Sequence, residues 1–450
     1  MYFKKSRGSV SHVLAFSLPV MISQACDSLM MLTDRYLLSQ VDPIFAAASM
    51  SGGMTAFLFW IFGAGLLGFV SALASQYMGA NEPAKAKAVV AQSLILSVIL
   101  SIPLLLFGEP LARFYFSFLK MPIEELPLAL TYFSLIIQCC FFVFLKVSFS
   151  SYFSGIGKTK IVMYVNIIGL ILNIPLSYFL IHGGFGEAWS GVKGAALGTI
   201  CAEVFMTLLY IGIFLRHYSK NMKWSFNSDI CKKLLKYGSP MGMEFFVLTF
   251  AFNTFLTMFH SFGIDAAKAI SVTSSWSWLT VLPFFGLNVG VMSLVGHAMG
   301  EGNPTLATQI TRSALKIAFG IVAIATVCFI GFTEPLVSTF GIANGSKAYE
   351  LAKFMVLTLP LYCIFDALEF VLTATLRASG DTFFCLKVST LSQWTCVTIC
   401  FYGTYYGHFS PKMIWCIFIV ALFIQSCIFG YRYLQGSWKL LKVTDSDFAH

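Results

Sequence analysis

What most constrains this chain is a recurrence. Apolar runs follow one another from about Val13 to about Tyr433, with short polar breaks between them. A helix needs about 20 predominantly apolar residues to cross the hydrocarbon core of a bilayer. Between the breaks the sequence predicts twelve spans, at about 13–38, 44–75, 88–118, 128–152, 161–182, 192–215, 234–261, 266–298, 309–333, 350–376, 384–406 and 412–434. Lipid offers no partner for a bare N–H or C=O, so only helices and closed barrels span it. Barrel strands would alternate apolar and polar positions over about 10 residues, and these runs do not. The expected fold class is therefore an all-α polytopic membrane protein with 12 transmembrane helices. Composition agrees, with 58% hydrophobic and 11% charged residues, against about 25% charged in soluble chains. A soluble enzyme, a disordered chain and a nucleic-acid binder are excluded.

The long hydrophilic interruption, Arg216–Lys233, splits the chain into six spans plus six. The expected organisation is a tail over 1–12, an amino-terminal lobe over 13–215, a loop over 216–233, a carboxy-terminal lobe over 234–434 and a tail over 435–450. Of the 29 Lys and Arg, 20 fall in alternate loops and the two tails, among them Arg7, Lys85, Lys158, Arg312, Lys316, Arg377 and Arg432. Cytoplasmic loops carry the excess of Lys and Arg. Both termini and the central loop are therefore expected in the cytoplasm, and the net charge of +9 is a topology signal. The first apolar run is too long for a signal peptide and is expected to stay as the first span.

The two halves repeat. Pro19 and Pro240 lie 221 residues apart, as do Gly79 and Gly300. LASQYMGANEPAKA at 73–86 reads in register with LVGHAMGEGNPTLA at 294–307. A second echo, SGIGKTK (154–160) against RASGDTF (377–383), has an offset of 223. Repeated halves are typical of secondary transporters, whose substrate site lies between them. Six spans per half give both halves the same orientation, with the two-fold axis along the membrane normal.

Ionisable residues at membrane depth are costly and mark function by default. Span 1 carries Asp27 and Asp34, seven residues apart and so on one helix face. The competing reading for Asp34, beside Arg35, is a solvated span end. Pro19 removes a helical hydrogen bond and is a candidate hinge. Span 5 carries Asn173 and Ser177, and span 6 carries Thr199 and Glu203, each pair one turn apart. For Asn173 and Thr199 the competing reading is a structural bond between helices. Glu244 follows Pro240 by one turn, and Asn288 lies among glycines. Tyr362, Asp366 and Glu369, at i, i+4 and i+7, share a face. Two carboxylates three residues apart in lipid repel, so at least one should hold a proton or share a cation. Lys146 is also expected within the membrane.

Most of the twelve Cys lie in apolar runs and read as small buried hydrophobes. His182, His260, His297 and His408 lie near span ends without metal-ligand spacing. No GxxxxGK[ST] run occurs, so coupling is expected from an ion gradient rather than from ATP. No cofactor and no enzymatic activity are expected.

With these features in view the chain resembles the multidrug and toxic compound extrusion (MATE) transporters over about 10–435. The resemblance rests on LAFSLPVMISQACDSLMMLTDRYLLS, SQYMGANEPAKAKAV, SGIGKTKIVMYVNIIGLILNIPLSYFLI with GVKGAALGT, YGSPMGMEFF, HAMGEGNP and FDALEFVLTATLRASGDT, taken in order. The loop after span 2 lacks the GxxxDRxGRR-like pattern of major facilitators.

The resemblance implies two pseudo-symmetric six-helix lobes around a cleft and a secondary antiporter. It would export organic cations or amphiphilic drugs against inward H⁺ or Na⁺ by alternating access. Asp34 falls at the family's amino-lobe aspartate, Asn173 and Thr199 at polar positions around it, and Pro19 at a proline that bends in some members. The family's second aspartate in span 5 is Ser177 here. Tyr362 and Asp366 match the carboxy-lobe cation site. The family's span-7 glutamate is Leu248 here, and Glu244, ~6 Å away along the helix, is expected to substitute. That makes Asp366, Tyr362 and Glu244 the candidate Na⁺ site. Glu369 stands where glutamine is common. The expected setting is a bacterial inner (plasma) membrane, with the chain a monomer. Its partners would be a small cationic or amphiphilic substrate and the lipid bilayer. The alternative is a flippase for a lipid-linked precursor from the wider superfamily.

Overall fold

The computed structural model describes residues 7–118, 121–219, 226–441 and 443. Lys4, Lys5, Lys120, Lys220, Lys223 and Lys442 lie outside the described residues, as do half of each expected tail and the middle of the central loop. The architecture among the described residues is helical. In chain order the helices are α1 (Val10–Val41), α2 (Pro43–Gly68), α3 (Val70–Gly79), α4 (Pro83–Phe118), α5 (Leu126–Gln138), α6 (Cys140–Gly155), α7 (Thr159–Ile181) and α8 (Val192–His217). They continue as α9 (Ser228–His260), α10 (Ile264–Gly300), α11 (Pro304–Gly331), α12 (Thr333–Ser338), α13 (Lys347–Ser379), α14 (Thr382–Tyr405) and α15 (Pro411–Gln435). Among the described residues eleven helices, with α2 and α3 taken as one, are long and apolar enough to cross a membrane. The bent pair α5 and α6, meeting at 50° around Cys139, makes a twelfth.

The ends of these helices are written locally. Asp42 caps α2 by accepting from the Ile44 N–H at 2.9 Å, with Pro43 next. Asn303, Ser346 and Ser410 cap α11, α13 and α15 in the same way. Such caps satisfy N–H groups that have no partner inside the helix. Large apolar side chains such as Leu106, Phe114, Ile324 and Val327 are exposed. That suits a surface solvated by lipid, where apolarity outside costs nothing.

The repeat seen in the sequence is a repeat of backbone. After Gly79, Asn81 takes φ 63°, and 221 residues on Gly302 takes φ 70°. The Ala80, Asn81 and Glu82 N–H groups donate to the carbonyls of Gln76, Met78 and Tyr77. Those of Glu301, Gly302 and Asn303 donate to His297, Met299 and Ala298, the same pattern shifted by the same offset. The second echo behaves likewise, with Gly157 at φ 79° and Gly380 at φ 101°.

The helices form two compact units. One is Met1–Met21 with Met243–His450, and the other is Ile22–Gly242. This division by contact differs from the division by chain order into 13–215 and 234–434. Each of α1 and α9 passes from one unit to the other two residues beyond its proline, Pro19 or Pro240. Small residues make these crossings close. In the first unit a Cβ on Gly290 would sit 2.1 Å from Ser17 Oγ, and one on Gly286 2.4 Å from Met21 Cα. In the second, a Cβ on Gly242 would sit 2.3 Å from the Phe62 carbonyl oxygen. Small residues let helix backbones approach in this way where lipid gives no hydrophobic drive between helices. The second unit also packs Leu38, Phe116, Phe133, Ile137 and Ala195 into a core, with Phe59 edge-on to Phe133.

Candidate functional site

In the second unit, α1 meets α7 and α8 at two levels. At the first level Asp34 is buried, 3% exposed, and accepts from Thr199 Oγ1 at 2.5 Å. Asn173 and Ser177 stand beside the same carboxylate, and Asn173 Nδ2 donates to Ser177 Oγ at 3.2 Å. Asp34 Oδ1 and Asn173 Oδ1 are buried without a hydrogen-bond partner. The span-end reading of Asp34 therefore fails, since the carboxylate is packed rather than solvated. The approach of α8 depends on Gly198, where a Cβ would sit 2.4 Å from Ser177 Oγ. Tyr132 on α5 also lies beside Asp34. Sequence reasoning missed it, because nothing in a local pattern links residues so far apart.

At the second level, two turns back along α1, Lys146 on α6 inserts its ammonium between two acids. It lies 2.7 Å from Glu203 Oε1 and 3.3 Å from Asp27 Oδ1. Asn166 Nδ2 donates to Ser23 Oγ at 2.6 Å and to Asp27 Oδ2 at 3.3 Å, and Tyr210 OH donates to Asn166 Oδ1 at 3.4 Å. Asp27 and Asp34 do share a helix face, as their spacing predicts, but they serve different clusters. Asp27 and Glu203 are joined by a cation whose partners the sequence did not reveal. The triad carries two carboxylates against one ammonium, and Glu203 Oε2 is buried without a partner.

In the first unit, Tyr362, Asp366 and Glu369 project from one face of α13, as expected. Tyr362 stacks near Trp415 and Phe418, with ring centroids 6.4 and 6.1 Å away. Asp366 is buried, and its Oδ2 has no hydrogen-bond partner. Glu369 Oε1 accepts from Gln425 Nε2 at 2.6 Å, and Gln425 Oε1 accepts from Gln393 Nε2 at 3.1 Å. Both glutamines are buried polar groups within apolar spans, a signal the sequence offered.

Glu244 corrects an expectation. It does not complete a cation site with Asp366 and Tyr362. Its Oε2 is held by Arg377, at 2.9 Å from Nη2 and 3.1 Å from Nε, and its Oε1 accepts from Ser389 at 2.7 Å. Glu244 is 0% and Arg377 3% exposed, so Arg377 is a buried partner rather than a loop charge. The reason is three-dimensional: α13 carries Arg377 to the level at which α9 carries Glu244. A buried guanidinium neutralises the carboxylate and leaves it no free charge for a second cation. Among the described residues no cluster of three or more His, Cys, Asp or Glu is arranged to hold a metal ion. All twelve cysteines are free, eight of them buried.

The arrangement thus offers four acidic positions in two kinds. Asp27 with Glu203, and Glu244, are already met by cations of the chain itself. Asp34, Asp366 and Glu369 make no ion pair among the described residues; Glu369 accepts from Gln425, and Arg377, bound to Glu244, lies within electrostatic reach of it. Carboxylates of the second kind carry no ion pair that a cation would first have to displace. Transport rather than covalent chemistry is what such groups in membrane-spanning helices serve.

Comparison with known proteins bears on the same point. The family model MatE matches residues 19–179 and again 240–402, one match per half, starting at the two prolines. The probable multidrug resistance protein YoeA of Bacillus subtilis is 22% identical, with 98% of this chain and 97% of that protein covered. The probable multidrug resistance protein NorM of Mannheimia succiniciproducens is 25% identical over 96% and 94% of the two chains. Among solved structures, a MOP superfamily transporter from Pyrococcus furiosus superposes with a TM-score of 0.86 at 20% identity, covering 96% of this chain and 97% of that one. A MATE in the bent conformation superposes with a TM-score of 0.85 at 20% identity, covering 96% of both. These likenesses confirm the twelve-helix membrane fold. Matched by the family model in both halves, the chain belongs to the MatE family of membrane transporters.

Proposed function

We propose that this transporter is a secondary antiporter that exports organic cations or amphiphilic drugs against inward H⁺ or Na⁺. The observation that carries the reading is a pair of atoms. Among the described residues, Asp34 Oδ1 in one unit and Asp366 Oδ2 in the other are buried and have no hydrogen-bond partner. A bare carboxylate oxygen in a low-dielectric interior is costly unless a proton or cation meets it. If the coupling ion and the cationic substrate compete for the same carboxylates, binding of one releases the other. That competition is sufficient for exchange. Stacked aromatic groups such as Tyr362, Trp415 and Phe418 suit flat organic cations. Alternating access between the two halves follows from their internal repeat. The chain would act as a monomer in a bacterial inner membrane with both termini cytoplasmic.

The test is efflux of ethidium from a drug-sensitive host, repeated with and without Na⁺ and with a protonophore. Efflux abolished by the protonophore at constant Na⁺ assigns H⁺, and efflux that requires Na⁺ assigns Na⁺. Failure to export any cation favours a flippase for a lipid-linked precursor instead.

A further inference from the structure

An open surface groove of about 390 Å³ lies where the start of α1 meets α11, lined by Arg7, Ser9, Gln309, Arg312, Ser313 and Lys316. Small-molecule sites begin at about 300 Å³, so it has room for a headgroup-sized ligand. Its floor is fixed, because Ser313 Oγ donates to the Gly8 carbonyl oxygen. Gly8 itself takes φ 84°, and a Cβ there would crowd Gln309 at 3.1 Å. The groove's charge is unbalanced. Arg7 is paired with Glu301, accepted by both carboxylate oxygens at 2.9 and 2.8 Å. His297 Nε2 lies 3.2 Å from the same carboxylate. Arg312 and Lys316 are one turn apart on α11 and exposed, and neither is ion-paired among the described residues. Like charges at this spacing destabilise a helix, so an anion between them would relieve a repulsion. Among the described residues, three lining cations and the Glu301 carboxylate at the rim leave an excess of two positive charges.

We propose that this groove binds a phosphate group, carried on an anionic phospholipid or free in solution. Arg and Lys with hydroxyls nearby are the usual donors for phosphate oxygens. The Lys and Arg distribution assigns this side of the chain to the cytoplasm, and basic pockets between helices on that side suit anionic headgroups. Val10 and Leu14 on α1 and Phe319 on α11, next along the two helices, are exposed and apolar. They offer acyl chains a surface. This site is independent of the coupling carboxylates, and its failure would leave the antiport reading untouched.

The experiment follows thermal unfolding of the purified full-length chain in detergent. Dioctanoyl phosphatidylglycerol, dioctanoyl phosphatidylcholine and inorganic phosphate are added separately. At saturation the expected rise with phosphatidylglycerol is about 3 °C or more, with none from phosphatidylcholine, and it is lost in R312Q/K316Q. A rise with inorganic phosphate as well, also lost in that variant, assigns the site to free phosphate. Glu301→Gln, which removes a negative charge beside Arg7, should enlarge the anion response and keeps the test alive if the double variant fails to fold. No anion-specific rise in the wild type overturns the proposal. So does a rise that is unchanged in R312Q/K316Q, or one that Glu301→Gln does not enlarge.

Discussion

Lys146 and Glu369 hold corresponding places in the two halves, 223 residues apart, and carry opposite charges. Lys146 is bound to Glu203 at 2.7 Å, whereas Glu369 is bound to the neutral Gln425 at 2.6 Å. The same backbone therefore builds a cation-centred cluster in one half and an acidic one in the other. The halves are alike in fold and unlike in electrostatics, and most of what can be tested follows from that difference.

Replacing Lys146 by Gln should leave Asp27 and Glu203 facing each other uncompensated. Removing one partner of a buried ion pair costs roughly 3–5 kcal/mol, with Asp27, the more exposed acid, softening the loss. Thermal unfolding should show a large drop for Lys146→Gln and a smaller one for the double variant K146Q/E203Q. Equal drops would mean that Lys146 is not the counter-ion of Glu203.

Glu244 and Arg377 should behave as a structural pair. Glu244→Gln and Arg377→Gln should each lower the amount of folded protein in the membrane. The paired apolar variant E244M/R377M should recover much of it, because buried ion pairs exchange well for packed apolar groups. Transport per folded molecule in that variant should stay near the wild-type value. If transport vanishes while the fold is kept, Glu244 belongs to the coupling machinery after all.

Asp366 should behave in the opposite way. Asp366→Asn should fold and reach the membrane yet lose gradient-driven efflux, since the amide keeps the shape but not the charge. Asp34→Asn should impair transport through the second unit. Wild-type efflux by both variants would remove the carboxylates from the coupling reaction.

Gly198 should tolerate no side chain. A Cβ there meets Ser177 Oγ at 2.4 Å, and overpacking of this kind costs about 1–3 kcal/mol. Gly198→Ala should lower the unfolding midpoint and weaken transport, by pushing α8, with Thr199, away from α7. The double change G198A/S177G should recover part of the midpoint, while transport stays weakened because the hydroxyl beside Asp34 is gone. Failure of that rescue would place the defect elsewhere than the Asp34 cluster.

The turn after α10 gives a purely conformational case. Gly302, at φ 70°, has nothing within 4 Å of where a Cβ would lie. Gly302→Ala should thus cost only the left-handed backbone, roughly 1–2 kcal/mol. Its counterpart Asn81 holds φ 63°, so Asn81→Gly should be neutral or slightly stabilising. Unfolding midpoints of the two variants should move in these unequal ways.

The spans, the repeat and the turns were legible because apolar length, Gly, Pro and Asn act locally. Gly79 and Gly300 close equivalent helices for reasons contained in a few residues. Asp34, Asp366 and Tyr362 were legible as costly groups in apolar surroundings. The partners were not. Nothing near Lys146 announces Asp27 or Glu203, and nothing near Glu244 announces Arg377, because each pair is made by helices distant in sequence. Nor did the bend at Cys139 have a signal, since no Gly or Pro stands there and α5 and α6 read as one apolar run.

The passage of α1 and α9 from one compact unit to the other has a genetic consequence. A gene cut within the central loop would not yield two self-sufficient products. Each fragment would lack the helix segment that its unit takes from the other fragment, Met1–Met21 in one direction and the part of α9 up to Gly242 in the other. The two halves are thus bound by more than the central loop, since the six helices encoded by either half do not by themselves make up a unit.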